Sequence, residues 1–172
     1  LAEASAEASA KRYELDDQGA ATLVATYEDD IYEISYGVAV AGELVFALCD
    51  NGRDDDGHPL PERVVALDAL TLERRFTFGE GKLECATGVE VVGDELYVFD
   101  ARDDALQVFS ITGEHRRTIT GGWQLPDELC FAKDRLYLLE DPEIAYGDAG
   151  GRDGARLRPG GRGGADGAHR RA

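Results

Sequence analysis

The sequence predicts an all-β chain built from repeated antiparallel units, and three observations carry that prediction. Between residues 11 and 141, short runs of Val, Leu, Ile, Phe and Tyr alternate with Gly and Asp turns, which is how short strands and tight reversals are written. The runs recur about every 40 residues, the spacing of a repeat architecture. Each recurrence contains four such runs, and four antiparallel strands in that length make one blade of a β-propeller.

The elements follow in order. Residues 1–10 are Ala, Glu and Ser with Leu1, good helix formers with a weak apolar stripe, so a short helix or a linker is expected there. Lys11–Asp16, Gly19 and Thr22–Tyr27 read as strands c and d, the outer half of a blade. Gly37–Phe46, continuing to Asp50, then Val64–Asp68 and Leu72–Phe78, form one complete blade spanning Tyr36–Phe78 and lengthened by an insertion after Asp50. Gly88–Asp100, Leu106–Ser110, Gly113 and Arg116–Thr120 form a second complete blade. Leu129–Asp141 supplies strands a and b, the inner half of another. The expected β-propeller segment is therefore 11–146, with about three blades' worth of an incomplete ring, since closure takes roughly four to eight blades. Further blades from a longer chain, or self-association, are needed to cover the sheet edges.

The residues give physical reasons for blades. Val89 and Val91 share one face of their strand, whereas Leu96–Phe99 is apolar on both faces, as a strand sandwiched between neighbours must be. Gly93 and Gly113 stand where the chain reverses and positive φ is needed. Asp100 is expected to cap the b–c loop by accepting backbone N–H groups two residues on.

Gly88-Val89-Glu90-Val91, then Leu96-Tyr97-Val98-Phe99-Asp100, Leu106-Gln107-Val108-Phe109 and Gly113 resemble the NHL repeat. The likeness covers most of residues 11–141 and is sharpest in the blade opening at Gly88. It implies a six-bladed propeller of the TolB-like type. The chain departs from the pattern at Asp104, where the family has Asn, at Ala105, where it has His or Arg, and in the insertion after Asp50. The resemblance implies a protein-binding or scaffold module. Its alternative is a fragment of a metal-dependent propeller enzyme, lactonase- or lyase-like, with catalytic residues mostly outside this chain. No cysteine pattern of a RING or B-box accompanies the repeats.

Charge and composition exclude several functions. The 172 residues carry 35 Asp and Glu against 18 Lys and Arg, a net charge of -17, which opposes a groove tracking a phosphate backbone or an anionic membrane surface. No apolar run approaches the roughly 20 residues of a membrane span, and no basic-then-apolar leader opens the chain, so a cytoplasmic setting is expected. Cys49, Cys85 and Cys130 are odd in number and lack CxxC spacing, which reads as small buried thiols. Neither the three His nor any GxSxG, GxxxxGK[ST] or GxGxxG motif supports zinc, nucleophilic or nucleotide chemistry. No catalytic residue, cofactor or metal is assigned.

Topology selects a working end. In a four-strand meander the b–c loops and the connections to the next blade lie together, and here they carry Arg53, Asp54, Asp55, Asp56, His58, Arg102, Asp103, Asp104 and Trp123. Mixed charge with an aromatic, held on loops over a rigid scaffold, is how binding faces are built. The candidate binding residues are Arg53, Asp54, Asp56, His58, Arg102, Asp103, Asp104 and Trp123; for Trp123, packing between blades stands equally open. The segment Asp50–Gly57 is no EF-hand, because Gly52 and Arg63 occupy ligand positions and Pro59 and Pro61 block a following helix. A looser Ca²⁺ site at Asp54 and Asp56 stays open beside a simple hydrated loop.

Residues 147–172 turn Gly- and Arg-rich, with six Arg against three Asp. Such a tail cannot bury enough surface to order itself, and with one Arg-Gly-Gly triplet and no aromatic it gives RNA binding little support. The acidity therefore belongs to the repeats, and a partner presenting basic protein surface is favoured over nucleic acid.

Overall fold

The structure, a computed structural model, describes the backbone of residues 9–29, 32–50, 52–123, 126–133 and 135–140. The expected helix or linker before residue 9 and the Gly/Arg-rich tail lie outside the described residues.

Twelve strands and no helix make up what is described. They are β1 (Ala10–Leu15), β2 (Ala21–Tyr27), β3 (Glu33–Ala41), β4 (Leu44–Asp50), β5 (Arg63–Asp68), β6 (Arg74–Phe78), β7 (Ala86–Val92), β8 (Glu95–Asp100), β9 (Ala105–Ser110), β10 (His115–Thr120), β11 (Pro126–Ala132) and β12 (Arg135–Glu140). Strands β3-β4-β5-β6 and β7-β8-β9-β10 form two four-stranded antiparallel meanders, while β1-β2 and β11-β12 form two-stranded sheets. Two complete blades thus lie between an outer and an inner half-blade, as the repeat pattern predicts. Strand β1 starts at Ala10, β3 at Glu33 and β7 at Ala86, slightly ahead of the expected limits, because backbone pairing to Tyr27, Asp50 and Asp100 carries each strand back to its partner's end.

The core lies between blades, in three layers. Ala10, Ala25 and Tyr27 of the outer half-blade pack with Ala47, Cys49, Val65 and Leu67 of the first blade. Phe46, Leu48, Val64, Ala66 and Phe78 of that blade meet Val89, Leu96, Val98 and Phe109 of the next. Phe99, Leu106 and Ile119 of the second blade meet Leu129, Leu136 and Leu138 of the inner half-blade. Strand β8 accordingly sends Leu96 and Val98 to one side and Tyr97 and Phe99 to the other. The inner strands β3, β7 and β11 stand side by side, and Gly88 lets β7 approach Leu129 so closely that a Cβ there would lie 2.9 Å from its Cδ2. This is the architecture of a β-propeller segment.

The turns follow the repeat too. In the a–b turns, Gly42, Gly93 and Lys133 all have positive φ, at 57°, 64° and 51°. In the c–d turns, Asp16 and Ser110 hold equivalent places: each backbone carbonyl accepts the N–H three residues on, from Gly19 and Gly113, and each side chain accepts the N–H four residues on, from Ala20 and Glu114.

The thiols depart from expectation at one end. Cys49 is buried and Cys85 half-buried, but Cys130 is exposed, because among the described residues no blade lies beyond β11. All three are free. No helix among the described residues is long and apolar enough to cross a membrane.

Candidate functional site

The inserted segment between β4 and β5 folds back as a small hairpin. Arg53 and Pro59 form an antiparallel bridge, Leu60 N donates to Gly52 O at 2.7 Å, and Asp54 N donates to His58 O at 3.0 Å. Asp54 organises the tip: Oδ1 accepts from the backbone N–H of Asp56 at 3.0 Å and of His58 at 2.8 Å. Oδ2 lies 3.2 Å from His58 Nδ1. These bonds, led by that of the His58 backbone, hold the Asp54 carboxyl below its ordinary range. One ligand atom each from Asp54, Asp56 and His58 lies within 4.8 Å of the others, all on exposed residues. The hydrogen bonds account for the arrangement as a turn whose side chain caps its own backbone.

Behind this hairpin, between the two complete blades, runs a groove of about 750 Å³ lined by Arg53, Pro59, Pro61, Glu62, Glu84 and Arg102, among others. Glu62, immediately before β5, is half-buried, and its Oε2 accepts the backbone N–H of Ala86 in the next blade at 2.6 Å. Burial pushes the Glu62 carboxyl up to about 7; Asp50 and Asp100 push the same way, while the Ala86 N–H and Arg102 pull against them. Desolvation and like charge both disfavour the ionised form. Across the groove, Arg102 Nη1 donates to Glu84 Oε2 at 3.0 Å in an ion pair exposed on both sides, a geometry that contributes little to stability.

Asp100 anchors this end. The side chain is fully buried, and it accepts three backbone hydrogen bonds: from Arg102 at 3.1 Å, Cys85 at 3.2 Å and Glu84 at 3.1 Å. The expected cap two residues on is present, and the same carboxylate also fastens the loop entering β7. Burial raises its pKa, opposed by those three donors.

The neighbouring junction, between the outer half-blade and the first complete blade, is balanced differently. Arg63 donates to Asp29 at 2.8 Å with both side chains largely buried, and its guanidinium stacks 3.8 Å from the centre of the Tyr32 ring. Tyr27 donates its hydroxyl to the same carboxylate at 2.7 Å. Here a buried acid faces a buried base; at the groove, Arg53 and Arg102 balance Glu62 and Glu84 in number, and among the described residues Glu62 makes no ion pair of its own but accepts a backbone N–H instead.

Of the predicted site residues, the structure brings Arg53 and Arg102 to one groove and gathers Asp54, Asp56 and His58 on the hairpin beside it. Asp103 and Asp104 are exposed on the β8–β9 loop, and Asp104 takes the left-handed conformation, φ 47°, which Asp and Asn tolerate better than most residues. Trp123 packs edge-on against Phe99, ring centres 5.8 Å apart, within the last core layer. Sequence reasoning missed Glu62 and Glu84. Their partners are distant in the chain, and the available signal was only that strands β4 and β8 each end on an acid.

The described strands define this chain as a β-propeller segment with a groove at its loop end lined by both Glu and Arg side chains. No family model matches the chain, and no curated protein matches it. Among solved structures it is similar to the crystal structure of BamB from Moraxella catarrhalis, with 19% identity and a TM-score of 0.49 over 72% of this chain and 33% of that one. The chain thus spans about a third of that structure's length, and the propeller assignment rests on strand order and inter-blade packing.

Proposed function

We infer that this chain is an NHL-type propeller module that binds a protein partner at its loop face, taking a Lys or Arg side chain of that partner into the groove between the two complete blades. The observation that carries the reading is Glu62, a half-buried carboxyl held against Ala86 at the groove, with Asp50 and Asp100 near enough to raise its pKa. An entering ammonium or guanidinium group relieves that repulsion, as charge complementarity does at interfaces generally. The three free thiols support a reducing, cytoplasmic setting. The metal-dependent enzyme alternative gains less support: the described inner-strand starts carry Ile34, Gly37 and Val38 on β3 and Thr87, Gly88 and Val89 on β7, and the side chains of Asp127 and Glu128 lie outside those described.

Calorimetric titration with short Lys- and Arg-bearing peptides tests the reading. Binding is expected, with a buffer-dependent heat near neutral pH because Glu62 releases its proton as the cation enters. Glu62→Gln should abolish both. No heat with any basic peptide, or equal binding by Glu62→Gln, overturns it.

A further inference from the structure

Two charged side chains lining the groove are each held by a backbone group rather than by an opposite charge. Glu62 Oε2 accepts the N–H of Ala86 at 2.6 Å. Arg53, on the hairpin wall, donates from Nη1 to the carbonyl of Gly57 at 3.0 Å. Among the described residues neither belongs to an ion pair, whereas the other acid and base of the groove, Glu84 and Arg102, are paired with each other at 3.0 Å. The groove therefore offers one carboxyl to a cation and one guanidinium to an anion. A ligand bearing only a positive charge uses half of that arrangement.

The hairpin fixes the two groups relative to each other. Arg53 bridges to Pro59, and Leu60 N donates to Gly52 O at 2.7 Å, so the chain returns directly to the head of β5. At the base of the hairpin, Gly52 is buried against the ring of Tyr32 with no room for a Cβ. Pro61 restricts Leu60 to extended backbone. Glu62 lies three residues past Pro59, the bridge partner of Arg53, about 10 Å along an extended chain. The uncharged lining of the groove is Pro, Leu and Gly throughout, with Leu83 buried. Such a surface suits the methylene stem of a Lys or Arg side chain, and a volume of about 750 Å³ is that of a ligand site.

We propose that the basic residue entering the groove is the last residue of the partner chain, a C-terminal Lys or Arg whose side-chain cation meets Glu62 and whose terminal carboxylate meets Arg53. This rests on the cation reading of the groove given above and adds the anion. A C-terminal basic residue carries both charges on one unit, separated by its own stem. That stem, with a hydrogen bond of about 3 Å at each end, covers the separation of the two groups. A guanidinium takes a carboxylate through two parallel N–H bonds, and the Arg53 side chain is exposed at the groove. An internal Lys or Arg presents an uncharged peptide carbonyl at that place instead. Free lysine or arginine presents an α-ammonium beside its carboxylate, which opposes Arg53.

Calorimetric titration of the full chain tests this with a short acetylated alanine peptide ending in lysine, supplied as the free acid and as the C-terminal amide. The free acid is expected to bind about tenfold more tightly, the scale of one charge-assisted contact, and the difference should shrink with added salt. Arg53→Gln should bring the acid down to the affinity of the amide and leave the amide unchanged. Arg53→Lys, which keeps the charge without the fork, should retain part of the preference. Free lysine should bind about tenfold more weakly than the peptide acid. Equal binding of acid and amide, a preference that survives Arg53→Gln, or free lysine binding as tightly as the peptide overturns the C-terminal assignment and leaves the cation reading standing, because the amide still binds through Glu62. Binding of neither peptide, or equal binding of the acid by Glu62→Gln, overturns both.

Discussion

Glu62 and Ala86 join the two complete blades across the groove: the carboxylate at the head of β5 accepts the first backbone N–H of β7 at 2.6 Å. One side chain thus serves as a structural strut and as the most perturbed carboxyl facing the groove, and its two roles respond differently to pH.

With its pKa raised from 4.5 to about 7, Glu62 stays protonated in the folded chain where the unfolded chain has already ionised. Folding stability from this group is complete below pH 4.5 and is lost as pH rises through about 7. Glu62→Gln keeps an oxygen for the Ala86 N–H but cannot ionise. Thermal melts should show variant and wild type nearly equal at pH 4, with the variant gaining through neutrality to pH 8. A difference independent of pH would contradict the assignment.

Asp100→Ala removes the carboxylate that accepts the N–H groups of Glu84, Cys85 and Arg102 from a fully buried position. The three bonds are partly buried, with Glu84 and Arg102 on exposed residues, so their donors can regain water in part, and a net loss of about 2–3 kcal/mol, roughly 1 kcal/mol per bond, is expected in urea unfolding. Asp100→Asn retains one acceptor oxygen and should lose about half as much.

Phe78 ties the central core layer together, with ring centres 6.2 Å from Phe46, 6.0 Å from Phe76 and 5.2 Å from Phe109. Phe78→Ala should cost about 3–5 kcal/mol, the range for emptying an aromatic site in a packed core, and should lower the unfolding midpoint accordingly.

Two glycines separate backbone strain from crowding. Gly93 has φ 64° and open space around it, whereas Gly113 has φ 91° and would place a Cβ 3.0 Å from the Phe78 ring. Gly93→Ala should cost about 1 kcal/mol from the left-handed backbone alone. Gly113→Ala should cost clearly more, about 2–3 kcal/mol, because strain and collision add. Chemical denaturation of the two variants side by side checks the order.

Much of the fold was legible because its determinants are local. Period-two apolar alternation marks strands, and Gly, Asp or Lys at the reversals marks turns, so β4, β8 and β9 can be found residue by residue. The cap made by Asp100 toward Arg102 spans only two residues and was foreseen; its bonds to Glu84 and Cys85 cross fifteen or more and were not. The candidate site divided likewise. Loop topology placed Arg53 and Arg102 at one end, but Glu62 became visible only when β5 came to rest against β7. Trp123, open between packing and contact in the sequence, lies against Phe99.

By itself the sequence determined the repeat, the strand order within each blade, the turn chemistry and the acidity of the blades, all of which follow from residue type and short spacing. Only the tertiary structure decided what each repeat position experiences. Phe99 and Leu139 hold the same place in their strands, as do Val89 and Val38, yet one of each pair is buried and the other exposed. Burial belongs to the neighbouring blade rather than to the residue, and which blades stand beside one another is set by packing across the whole arc.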